Sequence, residues 1–253
     1  MAKGGSGKGR GRDAASRRSS GGSASAGKGK PKPSQPRKAK PAQPRAPKPL
    51  PVEPPMPATF ALGAIPGATP GRWIDTWNDR MPHTSLDLVP LDVADQRRPL
   101  VDREVDAALV RLPIDKDGLH VIPLYDEVPV VVTARDSHLT AADELDAADL
   151  VGEVLVVPRD DVLGIHVPGT VEPRFAPPAD TAEAIATVAA GVGIVIVPMS
   201  LARLHRRKDA DYRVLRDGPT STVALAWVAE NTSPAIEAFV GIVRGRTANS
   251  SRG

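Results

Sequence analysis

From residue 58 onward, apolar positions fall into short runs that switch between the two-residue period of a strand and the 3.6-residue period of a helix. Thr59–Ile65 reads as a buried strand, and Pro66-Gly67-Ala68-Thr69-Pro70-Gly71 as the tight loop that ends it. Trp73, Ile74, Trp77 and Met81 then share one face of a helix. Thr69 is placed to cap it, with Pro70 at the first helical position and Pro82 beyond its end. Both tryptophans read as core. Leu86–Val93 is a second strand, a helical stretch broken or begun by Pro99 follows, and Val105–Val110 is a third strand. Leu119–Leu124 and Glu127–Thr133 supply two more, the second almost continuously apolar, as in a strand covered on both faces. Ala141–Leu150 predicts a short helix and Val154–Val157 a strand. Asp180-Thr181-Ala182-Glu183 is a capping box that opens a helix to Ala190, with Gly191 as its stop. Ile194–Val197 is a strand ending at Pro198, Ser200–His205 starts a helix, and Val223–Val228 is a strand. Ser233 or Thr232 caps a last helix to about Arg244. Strands alternating with helices predict an α/β fold with mainly parallel sheets.

This pattern stops at residue 57. Residues 1–57 are built mainly from Gly, Ser, Ala, Pro, Lys and Arg, with no Phe, Trp, Tyr or Ile, so they cannot bury enough apolar surface to offset chain entropy and are expected to be disordered. Up to about Lys30 the tail is Gly/Ser-rich. From Pro31 it is Pro-rich and tends to polyproline II, and an eight-residue near-repeat starts at Ser34 and again at Ala42. A second flexible tail is expected at residues 246–253.

Charge divides the chain at the same place. Residues 1–57 hold fourteen Lys/Arg against Asp13 and Glu53, about +12; the whole chain is +3, which leaves 3 − 12, about −9, on residues 58–253. The tail reads as a nonspecific contact to nucleic-acid phosphates through Arg10, Arg12, Arg37, Lys38, Lys40, Arg45 and Lys48. Two other readings stay open: a solvated linker, and an over-extended gene start ahead of Met56. There is no cysteine, which excludes disulfides and thiolate chemistry. No apolar run approaches the roughly 18 residues of a membrane span, and no apolar stretch follows the basic N-terminus as in a secretory signal. A cytoplasmic protein without membrane contact is the expectation.

Catalytic signatures are missing. His83, His120, His138, His166 and His205 have no metal-ligand spacing, and there is no phosphate-binding loop, nucleophile elbow or dinucleotide fingerprint. Gly191-Val192-Gly193 lies between a helix and a strand, the reverse of a dinucleotide loop. His166 with Asp160 and Asp161 could cluster, but a mobile loop explains them equally. No catalytic residue, metal or cofactor is expected.

Residues 58–245 resemble the effector-binding domain of LysR-type transcriptional regulators. The resemblance rests on Val105–Val110, on Ile122-Pro123-Leu124-Tyr125-Asp126-Glu127, on Asp136–Ala141 and, most specifically, on Val188-Ala189-Ala190-Gly191-Val192-Gly193-Ile194-Val195-Ile196-Val197-Pro198. It implies a two-lobed fold like that of type 2 periplasmic-binding proteins, with lobe I at 58–132 and 199–245, lobe II at 133–198, and a ligand cleft between them. It also implies antiparallel side-by-side homodimers. The family's winged helix-turn-helix and linker helix find no matching periodicity in the tail. In such folds, ligands sit beyond strand ends, where helix N-termini present N–H groups to anions. Gly67, Thr69, Arg111, Thr133, Thr181 and Pro198 are therefore the expected cleft lining, and a small organic anion the expected effector. The implied function is a non-enzymatic ligand-sensing regulatory module. A scaffold with a vestigial cleft and an enzyme on the same fold are the alternatives.

The tail reading makes a prediction. Duplex DNA binding by the full chain should weaken with salt at a slope of about −0.9 per phosphate contact and barely depend on sequence. Removal of residues 1–55 should abolish it. Equal binding by the shortened chain refutes a role for the tail.

Overall fold

The computed structural model describes residues 56–245. The basic tail, including Arg10, Arg12, Arg37, Lys38, Lys40, Arg45 and Lys48, and the segment 246–253 lie outside the described residues.

Two sheets organise the domain. The first contains β1 (Thr59–Ala64), β2 (Ser85–Pro90), β3 (Ala107–Arg111), β4 (Leu119–Glu127) and β9 (Ser221–Val228), in the order β2-β1-β3-β9-β4. The second contains β5 (Pro129–Ala134), β6 (Glu144–Leu145), β7 (Ile194–Pro198) and β8 (Ala210–Leu215), in the order β6-β8-β5-β7. Among the described residues five α-helices accompany them: α1 (Gly71–Arg80), α2 (Arg98–Val101), α3 (Thr181–Ala189), α4 (Met199–Leu204) and α5 (Pro234–Val243).

Strand alternation sends side chains to two layers in each lobe. In lobe I, Phe60 and Leu62 of β1 and Leu109 of β3 face α1 and α5, while Ala108 and Val110 face the opposite layer with Leu91 and Leu100. Phe60 stacks on Trp77 of α1 at 4.8 Å between ring centres and lies 5.3 Å from Phe239 of α5. The Trp77 indole N–H donates to the Thr84 carbonyl at 2.9 Å, so its polar edge is satisfied in the core. In lobe II, Val130, Val132, Val195 and Val197 face α3 and α4; Val131, Ile194 and Ile196 face Leu139, Leu150 and Val167. Both strands are covered on both faces, which explains their unbroken apolar runs.

The two-lobed α/β class is the one expected, but the sheets are mixed rather than mainly parallel. β1 pairs in parallel with β2 and β3, and β6 with β8; β9 runs antiparallel to β3 and β4, and β5 antiparallel to β7 and β8. The antiparallel pairs arise where the chain leaves one lobe and returns. It leaves at Val128, between β4 and β5, and returns between Leu215 and Ser221. Residues 199–215, expected in lobe I, therefore belong to lobe II: α4 packs on β5 and β7 through Leu201 and Ala202, and β8 pairs with β5.

Local expectations were corrected in four places. Helix α1 begins at Gly71, with Pro70 as its N-cap and no side-chain cap. The Pro70 carbonyl accepts from the amides of Trp73 and Ile74, which leaves Thr69 exposed and without a capping role. Residues 141–150 are not one helix. Ser137 caps a 3-10 turn over His138–Ala141, Glu144–Leu145 pairs with β8, and Asp146 opens a second turn over Ala147–Leu150. Val154 and Leu155 make only isolated bridges, to Val171 and Ile194. Strand β8 had no apolar run to announce it, because Asp211 and Arg213 interrupt it. The Arg213 guanidinium instead fastens the strand to the carbonyls of Thr140 and Ala142. At α3 the acidic cap is as expected. Asp180 accepts from the Glu183 amide, while the Glu183 carboxylate reaches back to the Ala179 amide rather than to that of Asp180.

The aromatic triangle predicts where lobe I is sensitive. Phe239→Ala should lower stability by about 3–5 kcal/mol, whereas Phe175→Ala, at an exposed ring, should stay within about 0.5 kcal/mol. Urea unfolding of the two variants checks this; equal losses would show that the triangle does not anchor the lobe.

Candidate functional site

The crossing at Val128 is built around a buried ion pair. Arg111 ends β3 and Glu127 ends β4, and the Arg111 guanidinium donates to Glu127 Oε2 at 2.9 Å and to Ser221 Oγ at 2.7 Å. Their side chains are 2% and 8% exposed. Gln96, on the loop before α2, treats Arg111 as a neighbouring strand would: its amide oxygen accepts from the Arg111 N–H at 2.7 Å and its amide nitrogen donates to the Arg111 carbonyl at 2.8 Å. The Arg111 Nε and Nη2 atoms are buried and have no hydrogen-bond partner.

The same carboxylate reaches the other lobe. Ser200 of α4 donates to Glu127 Oε2 at 2.8 Å, and the Met199 amide donates to the Val128 carbonyl at 3.1 Å. Gly67, in the loop between β1 and α1, packs directly on Ser200: a Cβ there would lie 2.4 Å from its hydroxyl oxygen, and Gly67 has φ of +86°. Only glycine fits on both counts. Burial and the Glu127 charge together push the Tyr125 hydroxyl above its ordinary pKa.

Beside this hinge, a cavity of about 580 Å³ opens between the lobes. Lobe I contributes Pro66, Asp92, Val93 and Ala94; lobe II contributes Arg159–Val162, Ala179–Ala182, and Leu201, Leu204 and His205 from α4 and its end. The walls therefore combine apolar side chains with four carboxylates (Asp92, Asp160, Asp161, Asp180), one arginine and one histidine. Thr181 donates to Asp160 Oδ1 at 2.9 Å, and Asp161 accepts from the amides of Leu163 and Gly164.

The expected lining residues separate. Thr181 is on the cavity wall, but its hydroxyl is engaged by Asp160. Gly67 and Pro198 are at the hinge, where Pro198 pairs with Pro129. Arg111 lies in the hinge interior and binds Glu127 rather than facing the cleft. Thr69 is exposed and outside the cavity wall. Thr133 is buried at the far end of β5 from the hinge, paired with Ile194, because β5 starts at the crossing instead of ending there. Asp92, Leu201, Leu204 and His205 had no motif to mark them. Glu127, a charge opening an apolar run, was the one sequence signal for the hinge partner. Among the described residues, no group of three or more His, Asp or Glu could hold a metal ion, and no helix is long and apolar enough to cross a membrane.

Two lobes joined at a hinge, with a ligand-sized cavity between them, define the class of two-lobed effector-binding domains. The chain belongs to the LysR substrate binding domain family, whose model matches residues 57–248. It is 26% identical over 180 residues to the Hca operon transcriptional activator HcaR of Escherichia coli (strain K12), covering 67% of this chain and 60% of that one. It is 29% identical over 168 residues to the HTH-type transcriptional regulator CatR of Pseudomonas putida, covering 62% of this chain and 57% of that one. The chain thus spans about 60% of the length of these curated relatives, which are transcriptional regulators rather than enzymes. Its fold is similar to that of the BenM effector binding domain with its effector benzoate: TM-score 0.63, 21% identity, covering 74% of this chain and 90% of that one.

The hinge pair yields a double-mutant prediction. Glu127→Gln leaves a buried guanidinium without its counter-charge and should cost roughly 3–5 kcal/mol in denaturant unfolding. Arg111→Met and Glu127→Leu should each be costly alone, and the two combined should cost much less than the sum of the single losses. Full additivity of the two single losses would show that the charges do not act as a pair.

Proposed function

We propose that this chain is a non-enzymatic, ligand-sensing regulatory module that binds a small-molecule effector between its lobes and acts in the cytoplasm. The cavity walled by both lobes carries this reading, because a ligand that touches both walls favours the closed arrangement over the open one. Membership of the substrate-binding family supports it. The proposal keeps nonspecific nucleic-acid contact for the basic tail, on charge alone.

The small anion expected from the sequence is less well supported than the cavity. It rested on the Thr69 loop, the start of α3 and the charge of Arg111. Thr69 is outside the cavity, Asp180 already occupies the α3 N-terminus, and Arg111 is neutralised by Glu127.

The test is a thermal-shift screen of small metabolites, both acids and bases, against the full chain and an Ala94→Trp variant. Ala94 is an exposed cavity-wall residue, so tryptophan there fills the space without disturbing a core. A compound that raises the melting temperature of the wild type and not of Ala94→Trp is expected. Hits that stabilise both alike, or no hits, would favour the scaffold reading with a vestigial cleft.

A further inference from the structure

From the composition of the cavity wall, and resting on the effector reading above, we infer that the effector is a small organic cation: an amine or amidine on an apolar body. The site is the interlobe cavity itself; its charged residues decide only the sign of what it takes. Asp92, Asp160, Asp161 and Asp180 contribute four negative charges, and Arg159 one positive charge. With His205 neutral the wall is −3, and with His205 protonated it is −2, so the sign holds in both states.

Internal hydrogen bonds leave acceptor capacity on this wall. Asp160 takes the Thr181 hydroxyl on Oδ1, and Asp180 takes the Glu183 amide on its own Oδ1, so each keeps a second oxygen. Asp92 makes no side-chain capping bond to the turn it precedes. Asp92 stands on lobe I and Asp160 on lobe II, so a cation between them is held from both sides. Pro66, Val93, Val162 and Leu201 supply the apolar wall for the rest of the ligand. Charge-assisted hydrogen bonds to carboxylates are about twice as strong as neutral ones, and those of an ammonium or amidinium are all donors. A carboxylate ligand would meet the same four charges as repulsion. The arginine that could receive it, Arg159, is outnumbered by these carboxylates and also borders a separate surface groove with Phe175 and Glu183.

The experiment compares matched pairs on the full chain: benzylamine with benzoate, and cyclohexylamine with cyclohexanecarboxylate, by titration calorimetry. The amine of each pair should bind and its acid should not. Asp92→Asn and Asp160→Asn keep size and one acceptor, and each should weaken amine binding about tenfold, the worth of one charged hydrogen bond. Asp92→Asn is the cleaner variant, because Asp160 also receives Thr181; far-ultraviolet circular dichroism confirms that both are folded. If an acid binds and its amine does not, the effector site stands and the cation inference falls. The inference also falls if amines bind but both variants bind them as well as wild type. If no member of either pair binds and the metabolite screen finds no ligand sensitive to Ala94→Trp, the effector reading fails with it.

Discussion

Glu127 is the residue on which the two lobes depend. It ends the last strand of lobe I before the crossing, and its carboxylate receives Arg111 from β3 and Ser200 from α4. A carboxylate this far from water is costly unless it is paired and hydrogen-bonded, and a buried guanidinium is costlier still with two of its nitrogens unsatisfied. Each charge is thus tolerated only while the other is present. The pair ties the end of the first sheet to the start of α4, and the Gly67 loop can approach Ser200 only because it carries no side chain. The cavity wall contributed by Pro66 is held next to the wall contributed by Leu201 by these contacts.

Hinge and cleft have different electrostatics. At the hinge, one positive and one negative charge cancel, and Ser221, Ser200 and Gln96 supply fixed dipoles. In the cleft, carboxylates outnumber cations and line the cavity. The hinge charges are thus spent on holding the two lobes in position, and the unbalanced charge lies on the cleft wall.

Much of the fold was legible because strong patterns leave one solution. The unbroken apolar runs at Val130–Val132 and Ile194–Val197 read as strands covered on both faces, and the acidic cap at Asp180 placed the start of α3. What failed was decided by contacts distant in sequence. Strand β8, with Asp211 and Arg213 in it, is a strand because β5 offers it a partner, and Glu144–Leu145 is extended because β8 is there. The site was less legible for the same reason. Arg111 was marked as a charge at a strand end, but nothing local says that Glu127 lies within hydrogen-bonding distance of it. The direction of β5 relative to the hinge, which removes Thr133 from the cleft, is a property of the crossing and not of the strand.

The lobe boundary has a consequence for how the chain reaches this state. Asp126 and Thr222 are hydrogen-bonded at 2.6 Å although 96 residues separate them, because all of lobe II is inserted between β4 and β9. Pairing these strands from an open coil closes a long loop, with an entropic cost that grows as the logarithm of loop length. If lobe II condenses first, its two ends, Pro129 and Leu215, lie on paired or adjacent strands of one sheet and the loop to be closed is already short. The inserted lobe then acts as an internal clamp that brings the last strand of lobe I to its place. The cost of closing the long loop then falls on the pairing of Val130 with Val214 inside lobe II, and the β4–β9 pairing adds little to it.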